Sequence, residues 1–227
     1  VTDMYRYEIP PNPANGLIPD NTKEGSPASI AAVGMALAAY PVGAARNYLP
    51  LKEAIERTLT TLRFFCNAPH GPEADATGYK GFYYHFLEMD SGRRAWKSEL
   101  STIDTTLLLV GALTAGAYFE GETGGEREIR TTADALYRRV DWQWAMNGGQ
   151  LVTHGWRPEK GFLRERWGGY NEALLLYVLA LASPTYPIPA AAYSLWLESY
   201  RWKRVYDIEY LYAGPLFIHQ LPHIWID

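Results

Sequence analysis

The sequence predicts an all-α fold: three helix hairpins in two layers, about half of an α/α toroid, with short β-hairpins in its long loops. Three observations predict it. Stop signals and apolar periodicity mark six helical segments, at about 27–40, 50–65, 99–119, 126–145, 170–181 and 189–202. The odd-numbered segments start roughly 70 residues apart, with short and long gaps alternating between starts, the mark of a helix-hairpin repeat. Segments one, three and five are almost free of charge, whereas two and four carry many charged residues. A helix that is apolar on every side is buried on every side, so the odd segments form an inner layer and the even ones an outer layer.

Each element has its own signal. Ser26 is the expected N-cap of the first helix, Pro27 its first residue and Pro41 its stop. In the second, Leu51, Ile55, Leu59, Leu62 and Phe65 face inward, opposite Lys52, Glu53, Glu56, Arg57 and Arg63. Gly121 ends the third. The fourth puts Ile129, Ala133, Leu136 and Val140 on one stripe; Ser183-Pro184 halts the fifth; the sixth alternates Tyr193, Trp196 and Tyr200 with Glu198 and Arg201. The long connections, 67–98 and 148–169, each lead into an inner helix, so they gather at one end of the fold. Phe82–Phe86 is expected to turn at Asp90-Ser91-Gly92, and Leu151–Thr153 near Pro158–Gly161. Loops of this length in a compact domain are usually functional. Half a toroid would also leave the inner helices with an uncovered apolar face.

Composition removes several function classes. The 227 residues are 48% hydrophobic and 20% charged with a net charge of −4, which suits a packed core and offers no basic stripe for nucleic acid. One cysteine, Cys66, cannot form an intrachain disulfide framework or a multi-cysteine metal site. The uncharged stretches Pro27–Ala45 and Ala173–Leu197 are interrupted by Pro41, or by Pro184, Pro187 and Pro189, and read as buried helices, not membrane spans. The 8 Trp and 17 Tyr suit stacking on sugar rings, although they serve a helical core equally well.

Charge inside the inner layer is the sharpest chemical signal. Asp104 is the only ionisable acid or base from Leu100 to Phe119, and Glu172 the only one from Tyr170 to Leu197. Both lie near the start of an inner helix, at the end that carries the aromatic loops. Helix-terminal acids also serve as caps and dipole partners, but two buried carboxylates at one mouth are costly unless used. In an aromatic cleft they suit glycoside hydrolysis, one as acid on the leaving oxygen and the other as base or nucleophile. Tyr79, Phe82, Tyr83, Tyr84, Trp96, Trp156, Phe162 and Trp167 would supply stacking surfaces, and His85 and Arg93 hydrogen bonds to hydroxyls. His219 and His223, with Asp227 four further on, have a metal-ligand spacing, but Pro222 interrupts the helix that the spacing needs, and no metal or cofactor is expected.

Several runs then resemble the bacterial glycoamylase-like domain family: Gly16-Leu-Ile-Pro-Asp, Ala28-Ser-Ile-Ala-Ala-Val-Gly, Gly81-Phe-Tyr-Tyr-His-Phe-Leu, Glu99-Leu-Ser-Thr-Ile-Asp-Thr, His154-Gly-Trp, Tyr170-Asn-Glu-Ala, Pro215-Leu-Phe-Ile-His-Gln and His223-Ile-Trp-Ile-Asp. The resemblance spans nearly the whole chain. It implies an (α/α)6 toroid and hydrolysis of β-glucan, with endo-cleavage of β-1,2-glucan the leading activity and a periplasmic or secreted location. It also implies that the acids at Asp104 and Glu172 are the catalytic candidates, and that Glu99, Tyr170, His219 and Gln220 join Tyr83, His85, Arg93, Trp156 and Trp167 in binding an oligo- or polysaccharide. Family domains are longer than this chain, so the expectation is a single catalytic domain, 1–227, cut at its C-terminus and inactive on its own. Two other readings stay open: a glycan-binding relative without turnover, and an epimerase or lyase using His or Tyr as proton carriers.

Overall fold

The computed structural model describes residues 11–226 and is predominantly helical. Three helix pairs run through it: α1 (Ile30–Ala45) with α2 (Leu51–Asn67), α3 (Thr102–Tyr118) with α4 (Gly124–Arg139), and α6 (Ala173–Ala182) with α7 (Ala190–Glu198). Short helices α5 (Trp142–Ala145) and α8 (Phe217–Gln220) complete the set. The almost uncharged helices α1, α3 and α6 pack side by side in one row, and the amphipathic α2 and α4 pack against each other and behind that row. The two layers expected from charge are therefore present.

The closest packing in the molecule is between α1 and α3. A Cβ on Gly34 would lie 2.7 Å from the Cα of Leu108, and one on Gly111 would lie 2.7 Å from the carbonyl carbon of Gly34. The backbones touch where neither residue has a side chain, near the start of α1 and the middle of α3.

Strands determine how those helices start. Strand β1 (Ala28–Ser29) pairs with β4 (Phe86–Leu87), holding the chain extended as far as Ser29. The N-cap of α1 is therefore Ser29 and not Ser26, and Pro27 precedes the helix. Nor does Pro41 stop it: α1 runs on to Ala45 with Pro41 buried inside, because burial of this segment outweighs the one lost helical hydrogen bond. Strand β5 (Leu100–Ser101) feeds α3 in the same manner, with Ser101 as N-cap accepting a hydrogen bond from the Asp104 amide. The expected helix over 126–145 is two pieces, since Asp141 ends the run and caps α5 through Trp144 N at 2.9 Å.

The long loops build more than hairpins. Strands β2 (Gly78–Tyr79), β3 (Phe82–Tyr84), β5, β6 (Gly155–Arg157) and β7 (Gly161–Phe162) form one antiparallel five-stranded sheet in the order β2-β3-β5-β6-β7. The pairing of β5 with β3 and β6 joins both long connections at the N-terminus of α3. The tight turn between β2 and β3 has Lys80 and Gly81 both at positive φ, as a two-residue hairpin of this hand requires. The sixth helix, expected to reach about 202, ends at Glu198, and Trp202 opens a hairpin of β8 (Trp202–Val205) and β9 (Ile208–Leu211), turning at Tyr206-Asp207, again both at positive φ.

The main core joins both layers through Leu37, Leu62, Phe65, Leu108, Leu136 and Tyr177, all buried. A second cluster, Leu107, Val110 and Leu175, lies on the other face of the inner row. That face is not left open: Leu221, Trp225 and Ile226 pack on it, and Trp225 Nε1 donates to Thr114 Oγ1 at 3.1 Å. No helix among the described residues is long and apolar enough to cross a membrane.

Candidate active site

The sequence places Asp104 in the first turn of an inner helix, and the fold surrounds it with the loop sheet. Its carboxylate is mostly buried, and Oδ2 accepts the hydroxyl of Ser101, the α3 N-cap. Opposite stands His85, between β3 and β4, whose Nε2 lies 3.7 Å from Asp104 Oδ2. The other ring nitrogen, Nδ1, is 3.1 Å from Glu99 Oε1, and Glu99 Oε2 in turn accepts Arg157 Nη2 at 3.1 Å. A chain of four groups thus runs Arg157–Glu99–His85–Asp104. The backbones are locked as well, since His85 N donates to Glu99 O at 2.9 Å and His85 O accepts Ile30 N at 3.3 Å. Phe86 stacks on the imidazole at 4.0 Å between centroids.

Electrostatics follow this geometry. Burial raises the Asp104 pKa above its ordinary value, opposed by the His85 charge and the Ser101 hydrogen bond. At His85 burial works against the charged ring, but its hydrogen bond to Glu99 and the charges of Asp104, Glu99 and Asp20 outweigh it and raise the pKa. The His85 hydrogen bond, with help from Arg157, lowers Glu99 to about 2 against the cost of its burial.

Glu172 is the N-cap of α6, half-buried, with no capping hydrogen bond from its side chain. Since α6 packs directly against α3, both acids stand at starts of adjacent inner helices. The connection that delivers Glu172 is anchored at the same end: Trp167 Nε1 donates to Thr102 Oγ1 at 2.9 Å, Tyr177 OH donates to Trp167 O at 2.9 Å, and the ring of His154 stacks on Trp167 at 3.9 Å. Asp104 has a partly structural duty at its N-cap; Glu172 has no such bond to make.

The other expected residues divide. Trp156 is half-buried on β6 and joins Tyr79, at 5.4 Å, and Trp144, at 5.8 Å, in an aromatic group behind the sheet edge. Tyr170 stacks against His219 at 5.0 Å and borders a cavity with Gly168, Gly169, Ser199, Arg201 and Tyr212, while Gln220 is exposed at the end of α8. Tyr83 is not a cleft wall. It is 1% exposed, its hydroxyl donates to Phe65 O at 2.8 Å, and its ring packs on Phe65 and His70, because a strand between helices turns this face to the core. Arg93 also stands apart from the acids, bonded to Asp75 on an exposed turn. His219 stays with Tyr170 and His223 turns to Ile226 O at 2.9 Å, so the two do not share a helix; Asp227, like Val1, lies outside the described residues. Among the described residues no three His, Cys, Asp or Glu side chains gather as a cation site. Arg157 and Ser101 went unnoticed as functional residues in the sequence. Only strand register brings Arg157 to Glu99, whereas the Ser-x-x-Asp spacing before an apolar run is a signal that could have found the Ser101 cap.

Known proteins resemble this chain in sequence and in fold. A family model described as "Glycoamylase: Putative glucoamylase" matches residues 164–227. A curated relative, the exo β-1,2-glucooligosaccharide sophorohydrolase (non-reducing end) of Parabacteroides distasonis, is 28% identical over 194 residues, covering 78% of this chain and 26% of its own length. An endo-β-1,2-glucanase from Chitinophaga pinensis, solved with sophorotriose and glucose, shares the fold at TM-score 0.86 and 24% identity, over 100% of this chain and 58% of its own. A Bacteroides caccae structure with the same glucoamylase description reaches TM-score 0.80 at 28% identity, over 95% of this chain and 56% of its own. The chain thus spans about a quarter of the curated relative and little over half of these structures.

Proposed function

From a chain that is glycoamylase-like in its C-terminal sequence and in its fold, we propose a glycoside hydrolase domain that cleaves β-1,2-glucan. The observation that carries this reading is the placement of Asp104 and Glu172 at the starts of adjacent inner helices, beside loops that bring aromatic rings to the same end. On this reading the chain supplies three hairpins of a double-layered α/α toroid, and residues 1–227 belong to one catalytic domain. Glu172, free of capping duty, delivers a proton to the glycosidic oxygen. Asp104, facing the His85 imidazole, takes the proton of the attacking water. Separate acid and base on opposite sides of the bond give inversion at the anomeric carbon, which needs the carboxyls about 6.5–9.5 Å apart. Trp156 and Tyr170 present rings for the sugar faces, while Trp167, expected beside them, is buried under His154 and serves to anchor the loop that carries Tyr170; hydrolysis of glucan fits a periplasmic or secreted location.

Purified protein carrying this chain, incubated with β-1,2-glucan, should release reducing sugar, and Glu172→Gln and Asp104→Asn should each lower the rate at least ~100-fold. NMR of the first product should show the inverted anomer. Oligosaccharides of mixed length would indicate endo-cleavage, our finer reading; sophorose alone would replace it by exo-cleavage. Tight oligosaccharide binding without turnover would reject hydrolysis.

A further inference from the structure

We infer that His85 is a positioning residue for Asp104: fastened by Glu99, which Arg157 fastens in turn, its imidazolium presents Nε2–H to the Asp104 carboxylate and fixes both its orientation and its charge. This rests on the hydrolase reading for its consequence but on geometry alone for its content. Both ring nitrogens face carboxylates, Nδ1 at 3.1 Å from Glu99 and Nε2 at 3.7 Å from Asp104. A neutral imidazole can turn an N–H toward only one of them, whereas the cation bonds Glu99 and turns its second N–H toward Asp104 as an ion pair. Glu99 cannot turn away, since its second oxygen is held by Arg157 Nη2 at 3.1 Å. Nor can His85 swing, as Phe86 stacks on its face and its backbone is bonded to Glu99 and Ile30.

Every charged group facing the ring enters this balance: Asp104 from α3, Glu99 from the segment before β5, Asp20 from the segment before β1, and Arg157 beyond Glu99 from β6. Three anions meet one imidazole and one guanidinium, a balance that favours the cationic ring. Asp104 has the opposite problem, because burial and the Glu99 charge favour its neutral acid, while His85, Ser101 and its own backbone amide favour the anion. A base must be ionised to accept a proton. His85 therefore assigns Asp104 the base role and leaves the acid role to Glu172.

The test follows the imidazole by ¹H–¹⁵N NMR across pH. In the unaltered protein both ring nitrogens of His85 should be protonated at neutral pH, and the midpoint should lie above the ordinary histidine value. Asp104→Asn and Glu99→Gln, near-isosteric and checked for an unchanged thermal transition, should each lower that midpoint by about one pH unit. In hydrolysis of β-1,2-glucan, His85→Gln should move the acid limb of the kcat profile upward, since Asp104 then keeps its proton to higher pH, with KM little changed. An imidazole midpoint unmoved by Asp104→Asn, or a ring with unprotonated Nε2, overturns the inference even if hydrolysis is found. Coupled titration without hydrolysis upholds the positioning and rejects the hydrolase reading instead. Should one variant fail to fold, the other still decides the midpoint.

Discussion

Replacing Gly34 by alanine tests the helix crossing on which the site depends. The added methyl would meet the Cα of Leu108 at 2.7 Å, whereas carbon atoms pack at about 3.5–4.0 Å. The neighbour is backbone of α3, so no rotamer change relieves the contact, and α1 and α3 must part by about 1 Å. Overpacking of this kind costs about 3 kcal/mol at the upper end of its usual range. Alanine recovers about 1 kcal/mol through its better helix propensity. The net loss is about 2 kcal/mol, a fall in Tm of about 4–8 °C for a chain of this size. Gly124 is the control: it opens α4, and a Cβ there meets nothing within 4 Å. Gly124→Ala should leave Tm unchanged or raise it by about 1–3 °C. Calorimetry of the two variants reads both signs. Because Leu107 and Leu108 follow Asp104 by one turn of α3, Gly34→Ala should also weaken the coupling of Asp104 to His85. A Gly34→Ala protein as stable as the parent would refute the close crossing.

Two further outcomes concern stability. His70 is held neutral, burial and the Arg139 charge lowering its pKa to about 4, while its Nε2 accepts the Gly81 amide at 2.8 Å. The unfolded chain binds this proton first as pH falls, so stability should drop from about pH 6.5 and level off near pH 4, by roughly 2–3 kcal/mol after allowing for partial exposure, and His70→Gln should remove that step in urea titrations. The Arg94 side chain is buried, bonded to the carbonyls of Lys97 and Ser98 and to Glu159 and set over the Tyr84 ring at 4.7 Å. Arg94→Ala, which strands those acceptors, should cost about 2–4 kcal/mol by denaturant unfolding, and Arg94→Lys should recover less than half of it.

The sequence by itself determined the layers. Charge-free helices can be stable only when covered on every side, and amphipathic ones only at a boundary, so the inner and outer rows followed from where Lys, Arg, Asp and Glu were absent. The same accounting isolated Asp104 and Glu172, each alone in an apolar helix. What composition and periodicity could not supply was everything that depends on pairing between distant strands. The five-stranded sheet, the extended start of α1 at Ser29, the burial of Tyr83 and the meeting of Arg157 with Glu99 all come from register between segments as much as 59 residues apart, such as Ala28 of β1 and Leu87 of β4. Strands of two or three residues are too short to show an alternation of their own. Their pairing is decided by the helices they join, and a shift of one residue would turn each side chain to the opposite face. The helices are therefore local properties of this chain, and the electrostatics of its candidate site are properties of the packed whole.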